Sequence, residues 1–197
     1  MVRNASAWAA RAGFVVAVAL IGPLAAPGAE LSEKLAPCLS CHGADGQSQI
    51  ENVPSLGAQL PSYSLIQLFM FREKMRVAEP MNEAARGLSD EDLQSIAGAL
   101  ADLQAPKPPD NTGDPARLDR ARALSQQNRC NICHRPDFSG QQTVPRLAHQ
   151  REDYLLKTLR EYKSGARRAY EPVMLEVLQP IDDAQLVEFA YYLSHMR

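Results

Sequence analysis

The pentapeptide Cys38-Leu39-Ser40-Cys41-His42 returns 92 residues later as Cys130-Asn131-Ile132-Cys133-His134, and the two strings contain every cysteine in the chain. With 4 Cys and 4 His in 197 residues, chance yields one such string with a probability of roughly 0.002 and two with roughly one in a million. The spacing has a chemical meaning. Two thiols three residues apart lie on one side of a helical turn, where each can form a thioether to a vinyl group of the same haem, and the adjacent imidazole then faces the iron. This is the attachment string for c-type haem. A redox dithiol has no need of a histidine beside its second cysteine in both places. A zinc site needs four ligands, and each string supplies three.

The duplication extends past the strings. Val53-Pro54-Ser55-Leu56 and Gln59 match Val144-Pro145-Arg146-Leu147 and Gln150 at an offset of 91, as do Tyr63, Leu65 and Leu68 with Tyr154, Leu156 and Leu159. Met81 pairs with Met174, and Leu88-Ser89-Asp90 with Ile181-Asp182-Asp183, at 93. An offset that drifts by so little marks two copies of one unit. Three prolines within Pro106-Lys107-Pro108-Pro109, followed by polar turn formers to Pro115, make residues 105–114 a semi-rigid linker. The units are then residues 30–104 and 115–197, each of a size at which a core alone is marginal and a cofactor adds stability.

Both units read as short helices and loops, with no alternating strand pattern, so the fold class is all-α. The final helix is the clearest. Ser89 caps it in the first copy, with Asp92 three residues on and Leu88 placed to close on Leu93; Leu93, Ile96, Ala97 and Leu100 mark one face. Asp182, Gln185 and Ile181 repeat this ahead of Leu186, Phe189, Ala190 and Leu193. A middle helix is expected to begin near Tyr63 and Tyr154.

Residues 1–29 differ from the rest. Arg3 and Arg11 are their only charged side chains, an apolar run from Ala12 to Ile21 is broken by Gly22-Pro23, and small residues follow to Ala29. This is the pattern of a secretory signal peptide; an uncleaved anchor is the competing reading. Release of residues 1–29 leaves no second run long enough to span a bilayer. The expected location is the periplasm, or the outer face of the inner membrane. With 21 basic and 23 acidic residues, the chain lacks the charge of a nucleic-acid binder.

Haem iron in electron carriers is commonly held by His and Met. Met81 follows His42 by 39 residues and Met174 follows His134 by 40, each seven residues before its final helix motif. They are the expected axial partners. Met70 and Met75 fit core filling better, although Met75 is a competing ligand in the first unit. His149 has Ala58 as its counterpart, and a histidine without a repeat equivalent reads as structural or superficial, as does His195.

These residues resemble the class I cytochromes c, and the tandem arrangement resembles the cytochrome c4 family of dihaem carriers. The resemblance implies two domains related by a pseudo-twofold axis and two covalently bound haem c groups, one on Cys38, Cys41 and His42 and one on Cys130, Cys133 and His134. It places a proline carbonyl, from Pro54 and Pro145, on the ligand imidazole, and brings Gln59, Gln150, Tyr63 and Tyr154 near the haem edges or propionates. One departure is that Arg76-Val77-Ala78-Glu79-Pro80 is not closely copied in residues 167–173.

The expected function is one-electron carriage between respiratory complexes, with a quinol-oxidising complex, a terminal oxidase or a dehydrogenase as redox partners and no catalytic residue. The alternatives are a haem subunit held permanently by a dehydrogenase or oxidase, and a dihaem peroxidase; the symmetric placement of Met81 and Met174 argues against the last. The halves differ in charge. Residues 30–104 carry 5 basic and 11 acidic side chains, net −6, and residues 115–197 carry 13 and 10, net +3, so two copies of one fold can offer different docking faces.

Overall fold

The computed structural model describes Met1 and residues 27–167 and 172–197. The expected signal segment therefore lies almost wholly outside the described residues; its last residues, Pro27 to Ala29, form the first turn of a helix.

The helices run in two parallel series. In the first, α1 (Pro27–His42) ends on the first string, followed by α2 (Pro61–Arg72), α3 (Met81–Ala85) and α4 (Asp90–Asp102). In the second, α5 (Pro115–Gln127) and α6 (Cys130–His134) together occupy the place of α1, followed by α7 (Glu152–Lys163), α8 (Val173–Leu178) and α9 (Asp183–His195). No strand occurs among the described residues; an isolated bridge joins Gln141 and Val144. The architecture is all-α with two domains.

The last helix of each series begins as the sequence requires. The Ser89 hydroxyl accepts from Asp92 N at 3.1 Å while the Asp92 carboxylate accepts from Ser89 N at 2.9 Å. Asp182 and Gln185 form the same reciprocal box. The apolar faces of these helices are the cores. Leu93, Ile96 and Leu100 pack on Leu35 and Leu68, with Leu88 against the same cluster. Leu186 and Phe189 pack on Leu178 and Ile181, and Ala190 and Leu193 on Ala121, Phe138 and Leu155. Each fully buried leucine contributes roughly 1.5–3 kcal/mol, so the two final helices anchor their domains.

The middle helices start two residues before the expected tyrosines. Pro61 opens α2, where a fixed φ and a missing N–H cost nothing. Glu152 and Asp153 open α7, where negative charge suits the helix start. The break between α5 and α6 has a local cause: Arg129 adopts a left-handed φ of 58°, and Asn128 turns its side-chain amide back onto Leu124 O at 2.9 Å. The stretch between domains is held on both sides. Lys107 N donates to Gln47 Oε1 at 3.0 Å, and Asp114 N to the Tyr191 hydroxyl at 2.6 Å.

Candidate haem sites

Each string occupies the last turn of a helix, and the following loop folds back across it. In the first domain, Gly46 O accepts from Leu56 N at 2.8 Å and Gly57 N at 3.1 Å. In the second, Phe138 O accepts from Leu147 N at 2.9 Å and Ala148 N at 3.1 Å. These paired bonds bring the Val-Pro segment over the histidine. His42 Nδ1 lies 2.7 Å from Pro54 O, and His134 Nδ1 lies 3.0 Å from Pro145 O. A carbonyl can only accept, so Nδ1 carries the proton and Nε2 keeps its lone pair, the state required of a metal-binding imidazole. Both rings are buried. Burial lowers the pKa of each below the ordinary imidazole value, against the opposing pull of the proline carbonyl, so the neutral form prevails.

No disulfide joins any of the four cysteines. Cys38 and Cys130 are half-buried, and burial pushes their thiols up; Cys41 and Cys133 are exposed. Among the described residues, no group of three or more His, Cys, Asp or Glu side chains is placed to hold a metal ion. Two cysteines three residues apart, committed to no disulfide and beside an imidazole with an available Nε2, fit covalent haem.

Met81 opens α3 and Met174 lies in the first turn of α8, both half-buried and each in the short helix before its domain's final helix. Met174 packs against the Leu178–Phe189 cluster. Met75 is 51% exposed on the turn after α2, and Met70 is core. His149 is engaged on both ring nitrogens, with Pro106 O at 3.0 Å and Met196 O at 2.8 Å. His195 stacks on Tyr191 and bonds its carbonyl and Ser194. Both histidines are thus occupied structurally.

The seam between domains holds residues whose pairing the sequence did not disclose. Gln59 Nε2 donates to Arg146 O at 3.1 Å, and Gln59 Oε1 accepts from Arg146 N at 2.8 Å. Gln150 does the same to Ser55, at 2.8 Å for both bonds. A second reciprocal set lies beside it. Arg76 reaches the Tyr154 hydroxyl at 3.4 Å and Arg167 reaches the Tyr63 hydroxyl at 3.1 Å. Arg76 covers the Phe71 ring at 4.4 Å, and Arg167 the Tyr162 ring at 5.0 Å. All these positions are 91 apart, as a pseudo-twofold seam requires. Arg76 and Arg167 are therefore equivalent, and the copies diverge only beyond them. The shared offset was the available signal, but it could not say that equivalent residues face one another across a seam.

The two phenols differ. Burial opposes ionisation of both. At Tyr63 it prevails and pushes the hydroxyl up to about 12. At Tyr154 the Arg167 and Arg76 guanidiniums together outweigh it and draw the hydroxyl down to about 7.

No family model matches the chain. Among curated relatives, it is 30% identical over 169 residues to cytochrome c4 of Thiocapsa roseopersicina, covering 80% of this chain and 85% of that one. It is 32% identical over 143 residues to cytochrome c4 of Pseudomonas aeruginosa, covering 68% and 70%. A thiosulfate dehydrogenase electron acceptor of Stutzerimonas stutzeri is 29% identical over 171 residues, covering 81% and 78%. The solved structure of Acidithiobacillus ferrooxidans cytochrome c4 superposes with a TM-score of 0.69 at 27% identity, covering 82% of this chain and 99% of that one. The duplicated attachment strings, the two-domain helical fold and these similarities agree: the chain belongs to the cytochrome c4 family, carries two covalently bound haem c groups and is an electron-transfer protein rather than an enzyme.

Proposed function

We propose that the protein shuttles single electrons in the periplasm through two haems with matched ligation. Cys38 and Cys41 hold one haem by thioethers, with His42 and Met81 on its iron; Cys130 and Cys133 hold the other, with His134 and Met174. The Pro54 and Pro145 carbonyls orient the two imidazoles. The bound haems supply the reversible ferric–ferrous couple, and the polypeptide supplies ligands, a dry surround and docking surfaces. The observation that carries this reading is the repeated imidazole–carbonyl contact, 2.7 Å at His42 and 3.0 Å at His134. It presets the same tautomer in both domains.

The domains on this reading are residues 30–104 and 115–197, joined by a linker over 105–114, with residues 1–29 directing export. Among the described residues, no helix is long and apolar enough to cross a membrane. The partners are redox proteins. Similarity to a thiosulfate dehydrogenase electron acceptor favours a dehydrogenase as donor, with a quinol-oxidising complex as the other donor class and a terminal oxidase as an acceptor.

Spectroelectrochemical titration of the holoprotein tests this. Two one-electron steps are expected, with the weak red-edge band of a ferric Met–sulfur bond in the oxidised state. Rapid binding of cyanide or carbon monoxide to either haem would show an open iron and contradict matched His/Met ligation.

A further inference from the structure

The two attachment strings expose the same positions to solvent but with different side chains. In the second domain, Ile132, between the two cysteines, is 64% exposed, and Cys133 beside it is exposed. Arg129 caps the start of α6 and Arg135 its end, about 9 Å apart along the axis at 1.5 Å per residue. Arg122 lies on α5, on the other side of the break at Asn128 and Arg129. All three arginines are exposed, and none is in an ion pair among the described residues.

At the same register, 92 residues earlier, the first domain has Glu30 for Arg122, Pro37 for Arg129, Ser40 for Ile132 and Gly43 for Arg135. Its single nearby cation, Lys34, is neutralised by Glu30 at 2.9 Å and Asp92 at 2.5 Å. A lone exposed isoleucine is ordinary. An exposed isoleucine between two unpaired arginines at the ends of an attachment string, with a third on the preceding helix, on one of two copies only, is a polarised feature.

We propose that the α6 face of the second domain docks an acidic redox protein, whose carboxylate rim meets Arg122, Arg129 and Arg135 while its apolar centre covers Ile132. This rests on the reading that Cys133 carries a haem. On docking, one electron passes from the ferrous haem of the second domain to the oxidised partner, leaving ferric haem and a partner reduced by one. Charge of this kind acts mainly on the encounter rate. Anionic lipid headgroups share the charge chemistry but would offer no electron acceptor beside the exposed Cys133.

The test is stopped-flow oxidation of the fully reduced holoprotein by an acidic blue-copper protein. Salt is raised from roughly 0.01 M to roughly 0.15 M, shortening the screening length from about 30 to about 8 Å. The second-order rate should fall about tenfold or more. R122E/R129N, with asparagine suited to the left-handed backbone at position 129, should start near the wild-type high-salt rate and lose most of the salt dependence. E30R, on the other domain, should leave both unchanged. A salt-independent wild-type rate, or an R122E/R129N rate equal to wild type at low salt, overturns the proposal. So does binding to phosphatidylglycerol vesicles accompanied by a flat copper-protein rate. Haem content measured on the same samples registers separately any failure of the dihaem reading.

Discussion

Gln150 and Ser55 exchange two hydrogen bonds across the domain seam, Ser55 N to Gln150 Oε1 and Gln150 Nε2 to Ser55 O, both at 2.8 Å. The side-chain amide thereby satisfies a buried backbone donor and a buried backbone acceptor of the other domain, as a neighbouring strand would. Gln59 does the same for Arg146. Gln150→Ala removes both bonds and leaves the Ser55 groups unpaired in a buried place, which should cost about 2–4 kcal/mol. Denaturant unfolding of the holoprotein measures it, and Gln59→Ala should cost a similar amount.

Asp153 also crosses the seam, accepting from Asn52 N at 2.9 Å. Burial raises its pKa, but the Arg151 guanidinium and two backbone N–H groups prevail, and it lies below the ordinary carboxylate value of 3.8. A depressed folded pKa means that the stabilisation is fully present above the unfolded value and is lost as pH falls through the folded one. The protection factor of the Asn52 amide, corrected for the intrinsic exchange rate, should therefore be steady from neutral pH to about pH 4 and fall below it. Asp153→Asn should flatten that acid response.

Arg167 is 4% exposed and donates to Tyr63, Tyr154 and Thr158. Its positive charge is the larger of the two that hold the Tyr154 hydroxyl low. Arg167→Gln should raise the tyrosinate titration of Tyr154 toward the ordinary phenol range, read by ultraviolet difference absorbance. Tyr154→Phe should abolish the near-neutral tyrosinate signal altogether.

Met81 and Met174 are separable by substitution. Met81→Ala and Met174→Ala should each remove about half of the red-edge ferric absorbance and open one iron to carbon monoxide. Met75→Ala, at an exposed turn, should leave both readouts unchanged.

Local or repeated features of this fold were legible before any coordinates. Ser89 with Asp92, and Asp182 with Gln185, announce their helices because a cap is a contact within four residues. The Val-Pro segments announced the imidazole contacts through the family resemblance, and the structure shows both at hydrogen-bond distance. Pro61 sets the start of α2, two residues before the expected Tyr63. The break at Asn128 and Arg129 was not readable, because arginine carries no preference for a left-handed φ. Nor was the seam. Gln59, Gln150, Tyr63 and Tyr154 lie in it, with both glutamine amides engaged by backbone 87 and 95 residues distant and both phenols by arginines. A matched offset reveals equivalence between copies, whereas facing partners depend on how the copies dock.

The most direct measurement is haem stoichiometry by intact mass under denaturing conditions, taken for the wild type and for Cys38→Ala/Cys41→Ala and Cys130→Ala/Cys133→Ala. The expected result is a wild-type chain heavier than its polypeptide by two haems, with each double variant carrying one. A wild-type chain with one haem or none, or a double variant that still carries two, would contradict the account.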